Sequence, residues 1–184
     1  MKKLLLLLFI PFVCLSQNDF RKMNWGESPE ILKEKYSEIN FVKEDVMGST
    51  AFTHEDIIGG TKANVIYLFV DDKFYAGTYM FSYGSYSSKS QTDRLKDFNL
   101  ISEKLEKYDM TREDVWINDT YKNRPNSLGH ALYMEHVSLF EKGIDGDTVI
   151  VHSLQRSEGE FVHQLAYTNP VLLQKVLDSV DDDF

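Results

Sequence analysis

The sequence predicts an α+β domain: an antiparallel sheet carrying a short N-terminal helix, one long central helix and a C-terminal helix. Three observations carry that expectation. Strand-length runs of β-branched and aromatic residues fall in two groups, Phe41 to Tyr83 and Asp114 to Tyr167. Within each group the runs are joined by short pieces rich in Gly, Asp and Ser, as in antiparallel meanders. Helical patterns occur only before, between and after the two groups, which suits helices laid on a sheet.

The first helix begins at Ser28-Pro29. The serine hydroxyl can cap the first free N–H groups, and proline fills a first-turn position where its missing donor is not needed. Ile31, Leu32, Tyr36 and Ile39 form its apolar side, opposite Glu30, Lys33, Glu34 and Lys35. Strands follow at Phe41 to Val46 and Ala51 to Ile57, then at "NVIYLFV" and "KFYAGTYMFSY". Gly59-Gly60 marks the turn before this last pair, and Asp71-Asp72 a tight hairpin within it.

After the serine-rich loop "SYGSYSSKS", a helix is expected from Gln91 to Tyr108, since Leu95, Phe98, Ile101, Leu105 and Tyr108 recur at three- and four-residue steps. Its apolar stripe should lie on the sheet. A strand through "DVWIND" comes next, then the irregular "TYKNRPNSLG". Three β-like runs follow, "HALYMEHVSLF", "TVIVHSL" and "EFVHQLAY", separated at Gly143 to Asp147 and at Ser157 to Gly159. Asn169-Pro170 repeats the cap-then-proline start, and Val171, Leu172, Val176, Leu177 and Val180 make the closing helix. The tail "DDDF" should be frayed and solvated.

Composition narrows the chemistry. Residues 1–17, "MKKLLLLLFIPFVCLSQ", have the charged start, short apolar run and polar end of a secretory signal peptide. Residues 18–184 are then the exported α+β domain, periplasmic or extracellular, with no transmembrane segment once the signal is removed. The only cysteine, Cys14, lies within the signal. It follows Val13, where lipoprotein processing needs a small residue, so no lipid anchor is expected. Cleavage past Cys14 leaves no thiol, which removes disulfides, thiolate nucleophiles and cysteine metal ligands from consideration. Cleavage also removes two lysines and leaves all 29 acids, for a net charge of −11. Such a chain is repelled by nucleic acid and anionic membranes, and the balance suits solubility, a basic protein partner or cation binding.

No dinucleotide fingerprint, phosphate-cradling glycine loop or nucleophile elbow occurs, and no cofactor is implied. Asp145-Gly146-Asp147 lacks the spaced ligands of a calcium loop and reads as a turn. His130 and His136, if on one strand, stand about 20 Å apart and cannot share an ion. His152 and His163 are the better pair. With a turn centred on Glu158-Gly159, His152 faces Leu165 and His163 faces Leu154, so both imidazoles lie diagonally on one face. Two histidines make half a zinc site at most.

Two places are candidates for binding a protein, a peptide or a glycan. Tyr75, Gly77, Tyr79, Phe81 and Tyr83 alternate along one strand and form an aromatic row, a platform for stacking unless it packs beneath the central helix. The segment from Trp116 to His130 is long for a connection, and it carries Tyr121, Lys122 and Arg124. These features favour an exported, non-catalytic binding domain, protein-binding first of all. The alternative is a cell-envelope hydrolase using histidine and carboxylate chemistry near His152 and His163.

The opening "DFRKMNWGESPEILKEKY" resembles the start of a loosely related group of bacterial exported proteins of uncharacterised function. In that group a pattern F-R-x-x-x-W-G-x-S, here Phe20, Arg21, Trp25, Gly26 and Ser28, follows the signal and opens a short helix. The likeness extends through the aromatic hairpin, the long helix, the Trp116 strand and "HQLAYTN". It implies an α+β domain in the cell envelope and supplies no catalytic residues. This chain departs from the group's "YG" after the long helix, having Tyr108-Asp109 instead, so a differently built helix end is expected.

Overall fold

The computed structural model describes residues 19–46, 48–83, 91–124 and 126–181. The expected signal segment with Cys14, most of the serine-rich loop and residues 182–184 lie outside them. Among the described residues the chain is α+β, with eight strands in a single antiparallel sheet and four α-helices. The strands are β1 (Val42–Val46), β2 (Ser49–Ile58), β3 (Thr61–Val70), β4 (Lys73–Phe81), β5 (Thr111–Trp116), β6 (Val137–Asp145), β7 (Thr148–Ser157) and β8 (Glu160–Thr168). Their order across the sheet is β1-β2-β3-β4-β8-β7-β6-β5. Two four-stranded meanders therefore meet along their last strands. The helices are α1 (Pro29–Lys35), α2 (Gln91–Leu105), α3 (Leu128–Tyr133) and α4 (Pro170–Asp181). None of them is long and apolar enough to cross a membrane.

Turn chemistry sets the registers. Asp71 and Asp72 both take the left-handed conformation, with φ of 48° and 56°, which is the two-residue turn whose twist matches a hairpin. Leu68 pairs with Ala76 and Phe69 with Phe74, so Tyr75 is an extra residue, a bulge. Because side chains alternate faces, one inserted residue reverses the parity on either side of it. Tyr75 accordingly packs with Val70, Leu172 and Val176 of the α4 side, whereas Tyr79 and Phe81 face the opposite layer. The expected single row from Tyr75 to Tyr83 is thus corrected: Tyr75 leaves it.

The second face of the sheet holds most of the core. Phe81, Ile101, Leu105, Ile150 and Leu165 form one cluster under α2, with Tyr79 and Tyr83 against it. Phe98, Leu139, Leu154, Ala131 and Leu132 form another between α2 and α3. The N-terminal segment covers the remainder. Phe20 lies 5.0 Å from the Tyr79 ring on β4 and 5.6 Å from the Tyr167 ring on β8, directly over Gly77. Trp25 stacks on Phe74 at 4.9 Å and donates its indole N–H to Thr148 at 3.0 Å. Gly26, at φ 82°, turns the chain so that its N–H reaches the Phe74 carbonyl at 2.8 Å.

Three local expectations change. Ser28 sits at the N-cap of α1, yet its side chain makes no cap bond; the equivalent bond at the other end is present, with Asn169 Oδ1 accepting from the Leu172 N–H at 3.0 Å. Residues Leu128–Tyr133 are helical, although Leu128 and Gly129 were expected in irregular chain and His130–Tyr133 in a strand. Leu128, Ala131 and Leu132 recur at helical spacing and pack on Phe98, so burial against α2 outweighs the β character of the run. Glu135, at φ 60°, breaks the helix before β6 begins. Finally, α2 ends at Leu105 and tightens into a 3₁₀ turn over Glu106–Tyr108. Asp109 then takes φ 50° and ψ 52°, the left-handed conformation a glycine adopts without strain.

Gly77→Ala would place a methyl 2.2 Å from the Phe20 ring. It should destabilise the protein by about 1–3 kcal/mol, and adding Phe20→Leu should recover part of that loss in urea titrations. Asp109→Gly should stabilise by about 0.5–1 kcal/mol by relieving the left-handed strain, read as a higher urea midpoint at unchanged slope.

Candidate functional site

The β7–β8 turn has Glu158 and Gly159 at its centre, both left-handed, and its register pairs His152 with Leu165 and Leu154 with His163. Both imidazoles therefore point into the α2 layer. Glu141 on β6 is the direct cross-strand partner of His152, and Arg112 on β5 is the partner of Glu141. The result is a buried polar chain. His152 Nδ1 meets Glu141 Oε2 at 3.0 Å, His152 Nε2 meets His163 Nε2 at 2.9 Å, and His163 Nδ1 is bonded to the Tyr83 hydroxyl. His152, His163 and Glu141 are 0%, 1% and 5% exposed. Phe98 of α2 stacks on His152 at 4.1 Å and seals it.

The proton positions follow from the electrostatics. Burial raises the pKa of the Glu141 carboxyl, but bonds from His152 and Ser102 and the charge of Arg112 outweigh it and hold the carboxyl below its ordinary value. Burial lowers the pKa of His152 by more than Glu141 restores. Glu141 is thus the anion, and His152 donates its Nδ1–H to it. In the state with both rings neutral, His152 Nε2 accepts from His163 Nε2–H, and His163 Nδ1 accepts from Tyr83. Burial pushes the Tyr83 phenol well above its ordinary value, so it stays a donor. Each link carries one proton, as a hydrogen-bonded wire requires.

This geometry has a direct consequence for metal binding. An ion shared by the facing Nε2 atoms needs about 2.0–2.1 Å to each, and those atoms are already at hydrogen-bond separation. Among the described residues no group of three or more His, Cys, Asp or Glu is placed to hold a metal.

Both ends of the wire reach a cleft. Glu141 borders one of about 530 Å³ with Tyr108, Thr111, Glu113, Phe140 and Lys142. Tyr83 borders another of about 430 Å³ with Arg94, Tyr133, Arg156, Glu160 and Phe161. In the second cleft the Arg94 guanidinium lies 4.2 Å from the Phe161 ring centre and 5.2 Å from that of Tyr83. Arg156 lies 4.3 Å over Tyr133 and 5.7 Å from Phe161. Its Nε–H donates to the Gly159 carbonyl at 3.0 Å and its Nη1 donates to the Tyr133 carbonyl.

The other sequence candidates are dispersed. Tyr75 and Tyr79 are packed in opposite layers of the core; Tyr79 and Phe81 also line a cleft of about 370 Å³ beside α2, and Tyr83 borders the cleft with the two arginines. Trp116 and Tyr121 pack against the Phe98 cluster, and Arg124 lies over Tyr121. His130 and His136, which a continuous strand would hold far apart, both flank the Tyr121 ring, at 4.9 and 5.5 Å, because a helix replaces that strand. Sequence reasoning missed Glu141, Arg94, Arg156 and Phe161. Glu141 had a signal: the two-residue turn at Gly146-Asp147 places it opposite His152. The arginines had none, since they come from α2 and β7.

Stability should fall on acidification in two stages. His152, and likewise His54, whose pKa is also lowered by burial, bind a proton more readily when unfolded. Their contribution is therefore complete above the ordinary histidine value of 6.5 and declines as pH drops below it. Glu141 adds a second loss below its ordinary 4.5. Urea unfolding from pH 7 to about pH 3 should show both, Glu141→Gln should flatten the second, and imidazole ¹⁵N shifts should report His152 as the Nδ1–H tautomer. Compared with family models, with curated proteins and with solved structures, the chain matches none.

Proposed function

We propose that this chain is an exported binding domain without catalysis of its own, and that its partner is a protein. The observation that supports this reading best is the make-up of the cleft at the Tyr83 end of the sheet. Tyr83, Tyr133, Phe161, Arg94 and Arg156 converge there. Tyrosine and arginine are the side chains that concentrate binding energy at protein interfaces, because they offer large area and several donors at low entropic cost. Tyr133 is 43% exposed, an aromatic presented to solvent beside a fixed guanidinium.

The burial of the two histidines supports the non-catalytic half of the reading. A general base has to come within hydrogen-bond reach of a substrate proton. Here Phe98 and Tyr83 stand between each imidazole and solvent, and the raised pKa of Tyr83 makes its phenol a poor base. One observation favours the second reading, an envelope hydrolase: the Glu141-His152-His163 wire ends at Tyr83 in that same cleft.

The test is to capture partners from envelope extract on the immobilised protein, purify the captured protein and measure its affinity for parent and variants. Tyr133→Ala should weaken a true partner by about tenfold or more, as truncation of an interface anchor does, while Arg124→Ala, outside the cleft, should leave affinity unchanged. No saturable partner, or one indifferent to Tyr133→Ala, would overturn the proposal. Hydrolysis of chromogenic esters that His152→Gln abolishes in a folded protein would favour the hydrolase.

A further inference from the structure

The sheet ends in two edges, β1 and β5. All five residues of β1 are exposed, and among the described residues its one neighbour in the sheet is β2. An unpaired edge offers its N–H and C=O groups to any chain that comes alongside, and proteins commonly blunt it with a proline, a bulge or repelling charges. β1 has no proline, and its register with β2 runs without a shift. Val46 pairs with Ser49 across a two-residue connection, so those two exchange backbone hydrogen bonds. Hydrogen-bonded pairs alternate along an antiparallel ladder, which makes Glu44–Ala51 and Val42–Thr53 of the same kind. Lys43 and Asp45 fall between them, and their N–H and C=O groups point out of the sheet.

The run Val42-Lys43-Glu44-Asp45-Val46 is its own complement. Two copies laid antiparallel about a two-fold axis at Glu44 set Lys43 of each opposite Asp45 of the other, at the positions whose backbone groups are free. Each such pair exchanges two backbone hydrogen bonds and joins opposite charges. On the other face Val42, 59% exposed, meets Val46 of the second copy, 44% exposed. The two Glu44 side chains at the axis are the unfavourable contact. An axis at Lys43 or at Asp45 would instead set lysine on lysine or aspartate on aspartate, so charge selects the first register. Among the described residues neither Lys43 nor Asp45 makes an ion pair; Asp45 accepts a bond from the Thr50 hydroxyl at 3.2 Å. Lys33 lies over Phe52, the cross-strand neighbour of Lys43, and adds positive charge on that face. β5 carries the similar run Arg112-Glu113-Asp114, but there Arg112 is bonded to Asp114 of its own strand at 2.9 Å and lies 5.5 Å from the Phe98 ring centre.

We propose that β1 is a homodimerisation edge, where a second copy of this chain adds its own β1 antiparallel about Glu44 and continues the sheet across a two-fold axis. This goes beyond the reading of the Tyr83 cleft and does not depend on it. An edge of five residues belongs at the small end of interfaces, so a dissociation constant on the order of 100 µM is expected. The net charge of −9 on each chain opposes association. At physiological salt, charges beyond about 8 Å are largely screened, which leaves the facing pairs to decide the register.

The test is sedimentation equilibrium of the purified protein from about 10 µM to 1 mM, with hydrogen exchange at the Lys43 and Asp45 amides. The parent should approach the mass of a dimer, and both amides should exchange more slowly as concentration rises. Lys43→Asp or Asp45→Lys alone should weaken the dimer at least fivefold, and the two together should restore it to within about twofold of the parent, because the swapped charges face each other again. Glu44→Gln should tighten it at least twofold. Asp45→Pro should abolish it, since it removes an outward N–H and leaves the bonds to β2 in place. Thermal midpoints are measured for all variants; if Asp45→Pro unfolds, the charge swap carries the test.

A monomer throughout the range, a dimer indifferent to the single reversals, or a double swap that fails to restore it overturns the proposal. Pairing of β1 with β5 of another copy would do so visibly, with species growing beyond the dimer and no rescue by the swap. Tyr133→Ala should leave the dimer unchanged. If no dimer forms while a captured partner depends on Tyr133, this inference falls alone; if the dimer forms and no partner depends on Tyr133, the cleft reading falls alone.

Discussion

The pairing of β4 with β8 is the constraint on which the rest of the molecule depends. Each meander is local in sequence, with strands joined by turns of two residues except for the longer connection carrying α3 between β5 and β6, but the seam joins residues about ninety positions apart, such as Tyr79 and Leu165. Loop-closure entropy opposes such a contact, so something beyond backbone hydrogen bonding has to favour it. Phe20 meets this need. Its ring sits over Gly77, touching Tyr79 on one side of the seam and Tyr167 on the other. Only a residue without a side chain lets the ring settle that low. The N-terminal segment is therefore a clamp on the sheet.

The buried wire is a second consequence of the seam. Tyr83 follows β4, His163 is in β8, and His152 and Glu141 are carried by the next two strands, so the wire crosses three strand boundaries. Burying four polar groups this way is unfavourable unless each finds a partner. The donor and acceptor roles close along the whole chain, with one anion at Glu141 and the phenol at the far end. A polar row of this kind tolerates a single register. Sliding β8 by one residue would turn His163 to the other face and leave His152 without its acceptor or donor. The wire thus specifies the alignment of the two meanders besides linking their clefts.

Charge distribution gives the cleft at Tyr83 its distinct character. The chain as a whole is acidic, and several of its arginines and lysines are paired with carboxylates, as Arg21 is with Asp56 and Lys35 with Glu27. Arg156 is treated differently: it is oriented by neutral carbonyls and aromatic faces, which hold a guanidinium in place without cancelling its field. That arrangement depends on the end of α3 and the β7–β8 turn meeting across space.

Much of this was legible in the sequence. Alternation, Gly and Asp turns and Asn169-Pro170 determined the class, the tight hairpin turns and the placement of both histidines on one face, because these depend on residues that are neighbours along the chain. The Tyr108-Asp109 junction was legible as a departure, and the fold resolves it by forcing Asp109 into the glycine-like conformation. Only the tertiary structure decided that Leu128–Tyr133 is helical, since the burial that favours the helix is supplied by Phe98, a residue from another element. It also decided that Tyr75 leaves the aromatic row, because a bulge is set by how two strands twist together. The meeting of Arg94, Arg156 and Tyr133 belongs to the same class. No local pattern encodes it, for it arises from the packing of α2 and α3 against the strand ends, where the nearest neighbours of a side chain are no longer its neighbours in sequence.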